Sequence, residues 1–237
     1  MSSTPSSRQT LKLILSLIAL TIAGLVIFRT LRGDRRGGGT LEDELAGWKM
    51  GTEISSLHGS GNQIVLLLPG TEDTISPSLQ TAFKAFKEAV EDQRSDIQII
   101  PVDLYALLAW EGQEEVNPVL LFESGLPPIL FDLVHDQHPE AQLIVSFAGL
   151  PARFKRPEFR LNQGPAIAAL DLMMVSGNAW QAWLDSGYAR ALILPKADIQ
   201  YDLNLEDMEK ENAFAERFVY LTPGNWKEML PAVQGLF

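Results

Sequence analysis

Short apolar runs alternate with amphipathic segments from residue 64 to the end of the chain. Apolar runs of this length, with few polar side chains, are typical of strands buried on both faces of a parallel sheet. Most of them end at a Pro or Gly residue, as strands do where a loop begins. The pattern predicts strands at 64–68, 96–104, 143–147, 191–194 and 218–221.

The segments between these runs carry apolar residues at helical spacing. The clearest has Leu79, Phe83, Phe86 and Val90 on one face, and a start signal precedes it, with Ser76 as the cap and proline at the next position. It predicts a helix that extends to about residue 93. Further helices are predicted near 104–110, within 118–138 with its proline pair at the first turn, and at 179–184, 205–216 and 225–233. Residues 166–175 form a largely apolar run that fits either a strand or a helix.

Strands that alternate with helices indicate a parallel sheet covered on both faces. We therefore predict a doubly wound, three-layer α/β domain of the flavodoxin-like type with strand order 2-1-3-4-5. The sequences IVLLLPG at the first strand and AQLIVSFAGLP at the third resemble one lobe of a type I periplasmic binding protein. A complete member of that family has two such lobes.

The N-terminal segment has the character of a membrane anchor. Residues 13–28 contain no charge, and with their flanks, 11–29, they approach the roughly 20 residues that a bilayer core requires. A cleaved signal peptide is the alternative, but it needs a shorter apolar region and small residues before the cut. We predict an uncleaved single-pass anchor over 1–32, a flexible linker rich in glycine and arginine over 33–47, and a globular domain over 48–237.

Charges flank the predicted span on both sides. Arg8 and Lys12 precede it, and four arginines follow it, so the positive-inside comparison is close to balanced. A short basic N-terminus before one span usually stays in the cytoplasm. We therefore expect a bacterial signal anchor whose domain lies outside the cytoplasm, in the periplasm.

The amino-acid composition limits the kinds of partner and chemistry that the chain can have. The net charge is -11; residues 1–40 hold six of the 19 basic residues and one of the 30 acidic residues, which leaves 13 basic and 29 acidic residues for 41–237. Such an acidic domain should repel nucleic acid, because phosphate binding needs clustered positive charge. The chain has no cysteine, so disulfides, thiolate metal sites and thiol nucleophiles are excluded.

The candidate site follows from the predicted strand order. Ligands of open parallel sheets bind beyond the carboxyl ends of the strands, where the order reverses, which here means the loops after strands one and three. The first loop offers hydroxyl groups and the free amides of a helix start; the second offers four basic side chains. The candidate residues are Thr71, Thr74, Ser76, Arg153, Lys155, Arg156 and Arg160. The alternative is that the basic residues form a solvated loop that pairs with the acidic surface.

The sequence contains no recognisable group of catalytic or metal-binding residues. His135 and His138 are spaced for one helix face, but no third ligand can be named. Ser146 lacks the flanking glycines of a nucleophile elbow, and GSGNQ at 59–63 precedes a strand, whereas a dinucleotide-binding loop follows one. We predict no catalytic residue, no metal and no cofactor.

Two functions remain open. The first is a non-catalytic, membrane-anchored α/β domain that acts as a protein-docking subunit of an envelope complex, favoured by the single anchor and the missing catalytic motif. The alternative is a small anionic-ligand binding domain that uses the loops after strands one and three; an enzyme is the weaker form of that alternative.

Overall fold

A six-stranded sheet with helices on both faces forms the described part of the chain. The structure is a computed structural model, and it describes residues 40–57, 62–109, 126–200 and 202–236. The strands are β1 (Gln63–Leu68), β2 (Gln98–Asp103), β3 (Leu143–Ser146), β4 (Ala166–Leu170), β5 (Ala189–Pro195) and β6 (Phe218–Leu221). The helices are α1 (Leu41–Leu57), α2 (Pro77–Gln93), α3 (Leu104–Ala109), α4 (Leu130–Gln137), α5 (Ala179–Asp185), α6 (Lys210–Arg217) and α7 (Trp226–Val233), with a short 3₁₀ helix at Leu205–Asp207.

The strand order is β2-β1-β3-β4-β5-β6. The first five strands are parallel, so the predicted α/β architecture and the reversal beside β1 are confirmed. Successive side chains of a strand point to opposite faces, and β1 supplies both cores for this reason. Leu66 belongs to the core that includes residues of α1 and α2, whereas Leu67 belongs to the core that includes residues of α3, α4, α5 and α7. The domain therefore has the predicted three layers.

The prediction of a wholly parallel, five-stranded sheet was wrong in two places. The ambiguous run at 166–175 contains β4, which ends at Leu170, and so adds a strand. The last strand, β6, is antiparallel to β5. The helix predicted at 205–216 is interrupted at Met208, and α6 ends beside the end of β5, where the Lys196 amide donates to the Arg217 carbonyl. The chain thus enters β6 at the carboxyl edge instead of returning to the amino edge.

The first described helix begins inside the segment predicted as linker, 33–47. Its start is fixed by a reciprocal pair: the Thr40 amide donates to the Asp43 carboxylate over 2.8 Å, and the Asp43 amide donates to the Thr40 hydroxyl over 3.3 Å. These two bonds satisfy the Thr40 and Asp43 amides, which have no backbone partner within the helix. The predicted anchor, 1–32, lies outside the described residues. Within the described ranges, no helix has the length and apolar character needed to cross a bilayer.

Helices α1 and α2 lie side by side at very short range. Ser78 donates to Asp43, and glycines on α1 meet α2 further along: an added Cβ on Gly47 would lie 1.9 Å from the Ala82 carbonyl oxygen, and one on Gly51 would lie 2.6 Å from that of Phe86. The three pairs are equally spaced in sequence, so the helices run parallel. Both N-termini consequently lie at the carboxyl edge of the sheet.

Three of the ion pairs in the described part of the chain join α1 to α6. Arg217 is buried, and its Nε donates to Glu42 over 2.6 Å while its other nitrogens donate to the carbonyls of Gln200 and Leu203. Lys210 and Glu44 form the second pair at 3.0 Å, but both side chains are about half exposed. The third pair joins Lys49, whose side chain is largely buried, to Glu211 over 3.1 Å. The same two helices are thus linked by one buried, one partly buried and one exposed pair.

Candidate functional site

A crevice of about 80 Å³ lies at the carboxyl edge of the sheet, where the loops after β1, β3 and β4 meet the first turn of α2. Its walls are mainly apolar and include Pro69, Phe147 and Val175, while Ser76 and Asp171 add polar groups. One water needs roughly 10–15 Å³ by the same kind of measure. The crevice therefore has room for a small molecule or for one end of a larger one.

The wall from β1 is built by a tight turn. Gly70 has a φ of 126°, a backbone conformation that residues with a Cβ rarely adopt. The Thr71 amide donates to the Thr74 hydroxyl over 2.9 Å. Ser76 then caps α2, and its hydroxyl accepts from the Leu79 amide over 3.3 Å. The predicted cap is confirmed.

Asp171 organises the wall from β4. It follows the last residue of the strand, is buried, and accepts from the Val175 amide over 2.7 Å and the Ser176 amide over 2.9 Å. The Ser176 hydroxyl also donates to it and accepts from the Leu150 amide over 3.1 Å. Asp171 thus closes the loop after β4 and, through Ser176, joins it to the loop after β3.

The loops after β3 and β4 approach each other closely at Gly149. Gly149 has a φ of 82°, and a Cβ added there would lie 2.7 Å from Asp171 Oδ1. Met174, in the loop after β4, has a φ of 55°, which is uncommon for a residue with a side chain. Such strained residues cluster at functional sites, where the surrounding structure holds them.

Burial raises the pKa of Asp171 above its ordinary 3.8, although hydrogen bonds from Ser176 and Val175 oppose this. A carboxyl group whose pKa is raised on folding contributes stability below its unfolded pKa and loses it as the pH rises through the folded pKa. We expect wild-type stability to fall relative to that of Asp171→Asn as the pH increases from below 3.8. Urea midpoints of both proteins across the acid range measure this difference, and a difference that grows in favour of the wild type would contradict it.

The structure separates the predicted site residues into two groups. Thr71, Thr74 and Ser76 lie at the carboxyl edge, beside the crevice. The basic residues occupy the extended crossover between β3 and β4, which contains no helix and leads to the opposite edge of the sheet.

Contacts along the crossover place the basic residues individually. Lys155 lies 3.8 Å from Glu158, and Arg156 Nε donates to the Tyr188 hydroxyl over 3.3 Å, just before the start of β5. Arg160 begins the turn that leads into β4, where its carbonyl accepts from the Gly164 amide over 3.0 Å. Arg153 is exposed and is the first of the four after the end of β3 at Ser146. The four are thus spread from one edge of the sheet to the other and do not form a single cluster with the threonines.

Asp171 and Ser176 were missed at the sequence level. Asp171 is the one charged residue in the apolar run 166–175, and this interruption was the available signal that a strand ended there. His135, one of the two histidines for which no third ligand could be named, packs edge-on against the Phe159 ring, with centroids 5.0 Å apart. Within the described ranges, no group of three or more His, Asp and Glu side chains could hold a metal ion.

A larger groove of about 860 Å³ lies at the opposite, amino edge of the sheet. It is open to solvent, whereas the crevice is more enclosed. Size alone would favour the groove, but open parallel sheets bind their ligands beyond the carboxyl ends of the strands. The position of the crevice at the carboxyl edge therefore makes it the primary candidate.

Neither a family model nor a curated protein matches this chain. Solved structures with partial similarity include a glucose-galactose binding protein from Geobacillus stearothermophilus, with 15% identity, a TM-score of 0.40 and coverage of 68% of this chain and 50% of that one. A periplasmic sugar binding protein from Legionella pneumophila has 14% identity, a TM-score of 0.39 and coverage of 66% and 50%. A carbohydrate transporter solute binding protein from Agrobacterium radiobacter, solved with D-arabinose, has 11% identity, a TM-score of 0.45 and coverage of 81% and 62%.

The chain spans about half to three fifths of the length of these solved structures. All three TM-scores are below 0.5. The likeness is one of α/β architecture and assigns neither a family nor a function.

Proposed function

We propose that the α/β domain binds a small, uncharged molecule in the crevice at its carboxyl edge. The observation that carries this proposal is the coincidence of the crevice with the point where the strand order reverses, between β1 and β3. Gly70 and Met174, which both have positive φ, are sequence neighbours of the lining residues Pro69, Met173 and Val175. Small-ligand binding is therefore favoured over a protein-docking role.

The lining determines the class of ligand. Most of the surface is apolar, and the buried carboxyl group of Asp171 would repel an anion. No lysine or arginine lines the crevice among the described residues. Ser76 and Ser78 provide hydroxyl groups at its rim. These features support a neutral ligand with a small apolar body and hydroxyl groups, rather than the anionic ligand expected from the sequence.

The docking role stays a prediction, and little on the described surface supports it. Three large apolar side chains there are more than about a third exposed: Phe154, Leu161 and Met173. Phe154 also packs edge-on against the Trp183 ring, with centroids 5.0 Å apart. Docking surfaces usually present a larger contiguous apolar area. Attachment to the membrane and a periplasmic location likewise remain predictions.

Filling the crevice tests the proposal. Ala148 lines it, and Ala148→Met would extend a flexible side chain into the space that the ligand needs. We expect wild type to be stabilised against heat by at least one compound from a panel of pentoses, hexoses and small alcohols, and the variant to lose that effect. Ala215→Met serves as the control substitution, because Ala215 is exposed on α6, a helix that contributes no residue to the crevice.

Two results would argue against this function. One is a panel in which no compound stabilises the wild type at concentrations up to several millimolar. The other is a stabilising compound that acts equally on wild type, Ala148→Met and the control, since its binding would then be elsewhere.

A further inference from the structure

The groove at the amino edge has the form of a second binding site. It is bounded by the starts of β3, β4 and β5, by the residues that follow β6, and by the turn that leads into β4. Its volume of about 860 Å³ falls in the range of roughly 300–1,000 Å³ that is usual for small-molecule sites. It lies across the sheet from the crevice, so it is independent of the function proposed above.

One arginine lines this groove, and two more lie in the segment that adjoins it. Arg190 lines it, and its Nη2 donates to Asn162 Oδ1 over 2.7 Å. Arg156 reaches the hydroxyl of Tyr188, another lining residue, and Arg160 begins the turn that forms one wall. Within the described ranges, none of these three guanidinium groups has a carboxylate oxygen within 4.0 Å.

The lack of carboxylate partners is informative in this domain. Residues 41–237 hold 29 acidic and 13 basic side chains, so an arginine has many acids available to it. Lys155, Lys210, Arg217 and Lys227 all pair with one. The arginines around the groove do not, and Glu140 is the one acidic residue among those that line it. Arg190 and Glu140 balance each other within the lining, and Arg156 and Arg160 in the adjoining segment add positive charge that attracts anions.

The groups beside Arg190 suit an oxygen-rich ligand. A guanidinium group can bind a carboxylate or phosphate through two parallel hydrogen bonds. Gln142, Asn162, Gln163 and Thr222 add neutral groups that can hydrogen-bond to a hydrophilic body. We propose that the amino-edge groove binds a small hydrophilic anion that carries a carboxylate or phosphate group, with Arg190 as its principal contact and Arg156 and Arg160 at the rim.

Titration calorimetry of the purified full chain with citrate, and separately with inorganic phosphate, tests this site at low ionic strength. We expect saturable binding of at least one of the two anions. Arg190→Gln should weaken that binding tenfold or more, and Arg160→Gln should weaken it to a smaller extent. The matched control is Arg153→Gln, because Arg153 belongs to the same basic run but lies toward the other edge; it should change the affinity less than twofold.

Several results would overturn the site. Absence of saturable binding for both anions is one, and equal weakening by Arg153→Gln and Arg190→Gln, which indicates general charge attraction, is another. If Arg190→Gln lowers the melting temperature strongly, Arg190→Lys provides the decisive measurement, since it keeps the charge and should retain part of the affinity. Loss of anion binding in Ala148→Met with full binding in Arg190→Gln would place the anion in the crevice and refute the proposal, while leaving the function proposed for the crevice intact.

Discussion

Gly47→Val is expected to destabilise the domain more than any other single substitution considered for this chain. A Cβ at this position would lie 1.9 Å from the carbonyl oxygen and 2.6 Å from the carbonyl carbon of Ala82, both backbone atoms of α2. A change of rotamer cannot relieve such a contact, so α1 and α2 would have to move apart. Replacing glycine within a helix gains at most about 1 kcal/mol from helix propensity. Overpacking costs about 1–3 kcal/mol and occasionally more, and here it meets main chain, so we expect a net loss of at least about 3 kcal/mol.

Chemical unfolding of the variant measures this effect. Gly224→Ala is the matched control, because the nearest atom to a Cβ there is the Thr222 hydroxyl at 3.7 Å, an ordinary contact. Gly51→Ala should be intermediate, since its Cβ would lie 2.6 Å from the Phe86 carbonyl oxygen. If Gly47→Val unfolds at the wild-type urea concentration, α1 and α2 do not pack in the described manner.

Glu42→Gln is expected to give the second largest loss. Arg217 is 3% exposed, and Glu42 is its described carboxylate partner, at 2.6 Å. Removing one member of a buried pair leaves the other charge uncompensated, which typically costs about 3–5 kcal/mol. Glu42 is itself partly exposed and Arg217 keeps its bonds to two carbonyls, so we expect a loss of about 2–3 kcal/mol, below that range.

The exposed pair between the same helices supplies the control. Glu44 and Lys210 lie 3.0 Å apart with about half of each side chain exposed, and exposed pairs contribute roughly 0–1 kcal/mol. Glu44→Gln should therefore have little effect on the free energy of unfolding. Equal losses for Glu42→Gln and Glu44→Gln would show that burial of Arg217 does not govern the strength of its ion pair.

Much of the architecture was accessible from the sequence because the strands are buried on both faces. Runs such as 64–68 and 143–147 contain only one polar residue, Ser146, so their positions could be predicted almost to the residue. The start of α2 was equally accessible, because Ser76 and Pro77 are strong local signals. In these places local chemistry and tertiary burial favour the same structure.

The direction of the last strand could not be predicted in the same way. Parallel and antiparallel versions of β6 have the same sequence pattern, and the choice depends on where α6 ends. That end is set by tertiary contacts, among them the bond from the Lys196 amide to the Arg217 carbonyl. Sequence periodicity carries no information about them.

The candidate site was predicted in part. The edge of the sheet and the loop from Gly70 to Ser78 follow from strand order, which the sequence indicated. The contribution of the loop after β4 to the crevice could not be predicted, because the apolar residues on both sides of Asp171 conceal the end of β4. The path of the basic residues was missed because the crossover from β3 to β4 contains no helix, and no periodicity showed that it leads to the amino edge.

Hydrogen exchange measured by mass spectrometry on the full chain, with and without the panel compound that stabilises it most, tests the central claim most directly. Binding in the crevice predicts slower exchange of amides in three segments, 69–79, 147–150 and 171–176, with residues 187–190 at the amino edge unchanged. Protection confined to the amino edge, or spread over the helices with none in the three loops, would contradict the account.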